Sequence, residues 1–332
     1  MAYSTKRFII GPDDSGRRAD RVVRSLLSAM PLSAVYRLFR DGAVRSGGRR
    51  IDGSSRLEAG ATLDIRLPDT VEAPETSASR EAAAADPRLA CERAKRFSEI
   101  ILLETPDLVV VNKPRGRLTH GPDGVDEDAK AYFADRMARS LAFAPGPLHR
   151  LDRNTSGALV VSASQAGAAA FSEALRAGLV GKLYLALLGG ELAGTERWID
   201  RLSRDDLKSR VSDEGAAAEA EAIPVAARGG MTLAVIRLGT GRTHQIRAQA
   251  ASRGLALAGD SKYGGKPLPG GYILHCATLD LPALPGGVGP LRVEAPLPPR
   301  AAAALRSILG PSCVEAASAA LSEALARAPR TS

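Results

Sequence analysis

Apolar positions cluster at the two ends of a stretch that has few of them. Within residues 16–68, Val22, Val23, Leu26 and Leu27 fall on one helical face, and Arg21 and Arg24 lie off it. Pro31 breaks that helix, and Ser33 is placed to cap a second one that runs to Phe39 and ends at Asp41-Gly42. Short strands follow, interrupted at Gly47-Gly48, Asp52-Gly53 and Gly60. Residues 69–97 are rich in Ala, Glu and Ser and poor in large apolar side chains. They predict a linker, helical in part, with no core of its own.

From residue 98 to 300 the pattern switches repeatedly between period two and the helical period. SEIILLETPDLVVVNKP predicts two strands split by the turn Thr105-Pro106-Asp107. AKAYFADRMARSLA predicts a helix, GALVVSAS a strand, and QAGAAAFSEALRAG a helix. KLYLALLGGEL, MTLAVIRLG and YILHCATLDLP predict strands, and THQIRAQAASRG a helix ended by Gly254. Turns between strands are frequent, which favours an α+β domain with a mixed sheet over a doubly wound parallel one. The Ala-rich residues 301–332 predict a C-terminal helix and tail. The expected organisation is a small unit at 1–68, a linker at 69–97, a main domain at 98–300 and a tail at 301–332.

The chain has 332 residues, enough for two or three domains, and its 4% aromatics leave Leu, Val, Ile and Ala to build the core. Its net charge of +8 points to a polyanionic partner. Most of that excess lies between Met1 and Arg66, where 13 Lys/Arg face 7 Asp/Glu. Arg17, Arg18, Arg37, Arg40, Arg45, Arg49 and Arg50 recur there at helix ends and turns, positions from which they can track phosphates. Cys91, Cys276 and Cys313 are far apart and odd in number, which argues for a reducing compartment and against a structural zinc site. The start, MAYSTKRFIIGPDD, lacks the apolar segment of a signal peptide, and no stretch reaches the apolar length of a membrane span. The expectation is a soluble cytoplasmic protein without a membrane partner.

Several chemistries lack support. GGKPLPGG (264–271) does not have phosphate-loop spacing, and no G-x-G-x-x-G follows a strand, so no nucleotide cofactor is expected. His120, His149, His244 and His275 show no i, i+4 pairing for a metal. No serine sits in a nucleophile elbow. Four stretches remain. In HRLDRNTSG (149–157), Asp152 stands between Arg150 and Arg153 before a turn whose Thr155 and Ser156 can bond its backbone. In GKLYLAL (181–187), Lys182 and Tyr184 share one strand face while Leu183 and Leu185 share the other. In GTGRTHQIRAQ (239–249), Thr243 can cap a helix carrying His244, Gln245 and Arg247. GDSKYGG (259–265) reads as a turn. Taken singly, each is an ordinary loop, strand, capped helix or turn.

In this order, HRLD-x-x-TSG, K-x-Y, GRTHQIR and GD-x-x-YG resemble the RluA-type RNA pseudouridine synthases. NKPRGRLTHG (112–121) resembles their upstream segment, LHCATLDLP and VEAPLPP resemble their closing strands, and residues 16–68 are similar to the S4-type RNA-binding domain that often precedes the catalytic domain. The likeness departs at RSGGRR (45–50), where such domains usually carry a V-N-G turn.

The resemblance implies a pseudouridine synthase fold with a mixed, largely antiparallel sheet, behind a small α/β S4-type domain. It implies isomerisation of uridine to its C-glycoside in structured RNA, with ribosomal RNA first and transfer RNA second, without any cofactor; monomeric action is the default expectation. Asp152 would attack C1′ or assist a glycal route. A carboxylate in a dry pocket protonates unless paired, and the resemblance assigns Arg247 to that pairing through two bonds. Tyr184 would stack on the flipped uracil and take a proton. Arg150 would fill the space the base leaves, His149 would shape the loop beside the RNA, and Lys182 and the N-terminal arginines would contact substrate RNA. A noncatalytic RNA-binding protein that kept the fold is the alternative, and it has no need of Asp152, Tyr184 and Arg247 together. A glycosidase is weaker still, because these stretches supply one acid where paired carboxylates are required.

Overall fold

A computed structural model describes residues 2–70, 76, 86–205, 208–284 and 289–326. The chain forms two compact units: Met1–Glu99 with Asp126–Gly146 and Ser162–Ala168, and Ile100–Val125 with Pro147–Val161 and Ala169–Ser332.

The first unit contains a four-stranded antiparallel sheet of β1 (Tyr3–Ile9), β2 (Val44–Ser46), β3 (Arg49–Arg50) and β4 (Thr62–Pro68), ordered β1-β4-β2-β3. Two helices, Ala19–Leu26 and Leu32–Arg40, accompany it, and Val22, Val23, Leu26, Leu27, Val35 and Phe39 share one core with Val44, Leu63, Ile65 and Leu67. The apolar face read from the sequence is the face that is buried. The cap of the second helix is different from the expected Ser33. Pro31 holds the N-cap position at φ −58°, and its carbonyl takes the amides of Ala34 and Val35, so Ser33 lies inside the first turn.

The unit also recruits segments expected elsewhere. Half of the predicted linker lies outside the described residues, but Pro87–Ser98 is a helix, capped by Asp86 Oδ1 accepting from the Arg88 amide at 2.9 Å. Its Phe97 is fully buried against the rings of Tyr132 and Phe133, at 5.2 and 6.0 Å. The carboxylate of Asp14 is fully buried too. It accepts from Ser140 Oγ at 2.9 Å, the Leu141 amide at 2.7 Å and the Ala142 amide at 3.1 Å. These two anchors explain why residues 126–146 cluster with the N-terminal unit and why the compact units do not follow a boundary at residue 98.

The second unit is built on a ten-stranded mixed sheet: β5 (Ile101–Glu104), β6 (Leu108–Lys113), β7 (Ser156–Ser162), β8 (Gly181–Leu188), β9 (Glu196–Arg204), β10 (Ser209–Val211), β11 (Ala216–Arg228), β12 (Met231–Leu238), β13 (Leu274–Leu281) and β14 (Leu291–Glu294). The order is β10-β9-β11-β12-β8-β13-β7-β6-β5, with β14 also paired to β13. Of the pairings, β7 with β13 is parallel, while β10–β9–β11–β12–β8–β13 run antiparallel to one another. Gly157 sits opposite Cys276 at φ 111°, and a Cβ there would lie 2.2 Å from the Cys276 carbonyl oxygen. Only glycine permits that approach.

Strand β8 divides its side chains as its alternation requires. Leu183, Leu185 and Leu187 enter a core with Leu233, Val235, Leu305, Cys313 and Ala317. The last two come from one of a pair of helices, Pro299–Leu309 and Cys313–Ala326, where a single helix was expected. Gly310, at φ 103°, and Pro311 separate the pair, which helps to close the core of the sheet. No helix among the described residues is long and apolar enough to cross a membrane.

Candidate active site

The loop before β7 carries Asp152, and its shape is fixed from several sides. The Thr155 amide donates to the Asp152 carbonyl at 3.0 Å and closes the polar turn. Thr119 Oγ1 donates to the Leu151 carbonyl at 2.7 Å and accepts from the Leu151 amide at 3.2 Å. His149 Nε2 accepts from the Val160 amide at 3.0 Å, and its ring stacks on Phe171 at 6.0 Å. Burial draws the His149 pKa down to about 3, so the ring stays neutral and keeps the lone pair that this bond needs. His149 therefore shapes the loop, and its Nε2 is committed to the backbone.

The stretch 112–121 supports the same loop from below. Lys113 is fully buried and its Nζ donates to the carbonyls of Pro114 (3.1 Å), Arg117 (2.6 Å) and Arg153 (3.2 Å). Burial pulls its pKa down to about 7, while three acceptors together satisfy only the ammonium form. Arg115 Nη1 donates to the carbonyls of Asn154, at 3.1 Å, and Tyr272.

Arg247 projects from the helix Gln245–Ser252 and is buried. Its Nη1 lies 3.1 Å from Asp152 Oδ2. The two-bond grip expected on Asp152 goes instead to Asp260, which receives Nε at 2.7 Å and Nη2 at 2.9 Å. The buried Asp260 takes the Nε/Nη2 edge of the fork, and Asp152 receives a single bond from Nη1. Tyr263 and Tyr272 lie 4.9 and 4.7 Å from the guanidinium carbon, within cation–π range. Burial opposes the charge, but the hydrogen bonds to Asp260 and the nearby Tyr272, Asp260 and Asp152 outweigh it and hold Arg247 more firmly protonated than usual.

Entry into this helix also departs from the expected Thr243 cap. His244 occupies the N-cap position at φ 52° with no side-chain cap bond. Gln245 Oε1 accepts from the Arg242 amide at 2.9 Å and from Thr240 Oγ1 at 2.8 Å, while the Thr243 carbonyl accepts from Ser209 Oγ at 2.6 Å. Gln245 thus does the tying that Thr243 was expected to do, and the His244 ring is left beside Asp152, with Nε2 3.7 Å from Oδ2.

Tyr184 and Lys182 lie on the face of β8 opposite the leucines. Tyr184 is paired across the strands with Cys276. Burial pushes the phenol well above its usual pKa and the thiol up to about 12, so both are neutral near pH 7. Burial lowers the Lys182 pKa, and Cys276 opposes the shift.

A cavity of about 450 Å³ brings Arg150, Asp152, Lys182, Tyr184 and Arg247 together, with His149 and His244 in its wall. That volume falls within the range of small-ligand sites. The N-terminal arginines are outside its lining. Arg17 turns inward, 3.9 Å from Asp14, and burial lowers its pKa. Arg18 gives two bonds to Asp20, at 3.1 and 2.7 Å. Arg17 is thereby turned away from an outward phosphate contact, while Arg18 keeps a partly exposed side chain. Arg37, Arg40, Arg45, Arg49 and Arg50 are exposed.

Sequence reasoning assigned no role to Asp260, Tyr263, Tyr272, His244 or Cys276. The spacing in GDSKYGG was the available signal for Asp260 and Tyr263. Tyr272 and Cys276 gave none, because their places depend on β13 lying against β8 and β7.

Residues 107–252 match the RNA pseudouridylate synthase family. Over 314 residues the chain is 32% identical to ribosomal large subunit pseudouridine synthase C of Salmonella typhimurium, covering 89% of this chain and 93% of that protein. The Escherichia coli protein of the same name matches at the same identity and coverage. Among solved structures, human RNA pseudouridylate synthase domain containing 4 shares the fold, with a TM-score of 0.56 and 23% identity over 66% of this chain and 96% of that one. A likeness of 32% identity over 89% of the chain, with residues 107–252 matching the family itself, places this chain in the RNA pseudouridylate synthase family.

Proposed function

We propose that this protein isomerises uridines of large-subunit ribosomal RNA to pseudouridine, working as a cytoplasmic monomer, with Asp152 as the acid that acts on the sugar. The observation that carries the reading is the bond between Asp152 and an arginine already locked by a second, buried carboxylate.

The reaction breaks the N1–C1′ bond, turns the base, and joins C5 to C1′ with loss of the C5 proton. Asp152 contributes only as an anion, whether it attacks C1′ or assists a glycal route. The guanidinium of Arg247 at 3.1 Å favours that anion. Because Asp260 fixes the fork, Arg247 does not need to reorganise when charge develops at the sugar.

Tyr184 lines the same cavity, where its ring can stack on uracil and its hydroxyl can take the C5 proton. A neutral phenol takes a proton only by passing its own onward to an acceptor, and the neutral Cys276 thiol is not one. The uridine has to leave its stack to reach this depth, at a cost of a few kcal/mol. Arg150, exposed at the cavity wall, is placed to occupy the space it vacates. The small N-terminal sheet and its paired helices support an S4-type RNA grip, with Arg37, Arg40, Arg45, Arg49 and Arg50 as its outward cations.

Tritium release from C5-labelled uridine in ribosomal RNA tests the reading. Wild type releases tritium, and Asp152→Asn falls to background. Absence of release by wild type from any cellular RNA overturns the enzyme assignment. Pseudouridine mapping with and without the protein then separates ribosomal from transfer RNA targets.

A further inference from the structure

His244 is one of two non-glycine residues with positive φ among the described residues, the other being Asp123. A side chain is held in that region only where its surroundings fix it. Here the two ring nitrogens face different partners. Nδ1 is 3.0 Å from the Tyr263 hydroxyl, and Nε2 is 3.7 Å from Asp152 Oδ2.

Hydrogen counting sets the tautomer. The Tyr263 hydroxyl has a single proton. It accepts from the Ser209 amide at 2.9 Å and donates to the Ser209 carbonyl at 3.1 Å. With that proton directed to Ser209, what it presents to His244 is a lone pair, and the imidazole hydrogen is assigned to Nδ1. Burial lowers the pKa of the ring; Asp152 opposes this, and Arg247, Lys262 and Arg150 reinforce it. In the neutral ring, Nε2 is an acceptor. Two acceptors, Nε2 and Oδ2, then stand side by side in the cleft, too far apart for a direct bond and matched to a donor between them.

Building on the proposed function, we propose that His244 Nε2 accepts a hydrogen bond from the 2′-hydroxyl of the uridine being isomerised, which makes ribose a requirement at that position. Asp152 works at C1′ or its neighbour, and the 2′-hydroxyl hangs from the adjoining carbon. An acceptor 3.7 Å from the working oxygen therefore lies beside that hydroxyl. A deoxyribose leaves Nε2 without its donor, and an unpaired buried acceptor is the type of penalty that discriminates between substrates.

The test uses a ribosomal RNA fragment that wild type modifies, synthesised with uridine, 2′-deoxyuridine or 2′-fluorouridine at the target. His244→Asn keeps a donor near the Nδ1 position for Tyr263, tolerates the left-handed backbone and deletes Nε2. His244→Gln restores an acceptor at Nε2 reach. Wild type loses about 10- to 100-fold in kcat/KM on both modified targets. His244→Asn, melting as wild type does, loses a similar factor on uridine and shows little further loss on 2′-deoxyuridine. His244→Gln recovers part of the preference for ribose. Replacing the hydroxyl with hydrogen makes the glycosidic bond easier to break, so slower turnover of 2′-deoxyuridine reports the lost contact, whereas the loss on 2′-fluorouridine includes the fluorine's own strengthening of that bond. Equal turnover of uridine and 2′-deoxyuridine by wild type overturns the inference, as does undiminished discrimination by His244→Asn. Inactivity of wild type on unmodified RNA overturns the proposed function itself.

Discussion

Arginines serve two purposes in this chain, and the contrast is instructive. Those of the N-terminal unit, such as Arg37, Arg45 and Arg49, are exposed and reach into solvent. Arg247 is buried, bonded to two carboxylates and flanked by two tyrosine rings. An exposed cation contributes long-range, screened attraction that adds up over many copies. A buried one is part of a unit whose members fail together, since each one removed leaves a charge without its counter-ion. Under the proposed function, the exposed arginines grip RNA and the buried Arg247 serves the chemistry.

The sharpest break in that comparison is Arg247→Ala. It leaves Asp260 buried and unpaired, and thermal or urea unfolding is expected to show a loss of about 3–5 kcal/mol. Tritium release falls to background in the same variant. Arg247→Lys keeps the charge but not the fork, and recovers little of either. Normal melting and turnover in Arg247→Ala would mean that the pairing does no work. Next comes Tyr184→Phe, which binds RNA, keeps its melting temperature within a few degrees and loses about 10²–10⁴-fold in turnover, with an intermediate formed after glycosidic cleavage accumulating. Ordinary turnover there removes the hydroxyl from the mechanism.

Asp14→Ala tests the first unit with no charge partner in the cleft. It strands the Leu141 and Ala142 amides and Ser140 Oγ, and is expected to cost about 1–3 kcal/mol of stability. Protease sensitivity at residues 138–146 should rise in parallel. The smallest effect belongs to Arg37→Ala or Arg45→Ala. Each should leave stability within about 0.5 kcal/mol and reduce the slope of log affinity against log salt by about 1. A large loss of stability from either would place it with Arg247.

How much of this was legible in the sequence depended on how locally each feature is encoded. The helix Ala19–Leu26 and the strand β8 announced themselves, because their apolar faces repeat at a fixed period. The long strand β11 did not. Its buried positions are Ala218, Ala220 and Ala222, alternating with Glu219 and Glu221, and alanine gives too little hydrophobic contrast to reveal period two. Asp152, Tyr184 and Arg247 were found through ordered motifs and converge on one cavity. Asp260 was hidden because its role is a distance to Arg247, set by how a turn packs on a helix. Cys276 was hidden because its partner is decided by strand register. Arg17 misled, because composition counts charges without saying which way they point.

One absent methyl group governs the reach of the whole cleft. With nothing but hydrogen at position 157, the chain that follows the Asp152 turn can nestle directly on the Cys276 backbone. Any larger residue would wedge the two apart and carry the acid away from the guanidinium that keeps it charged. Variation in natural sequences at 157 should thus be rarer than at the exposed arginines, since the spacer there sets the alignment on which turnover depends.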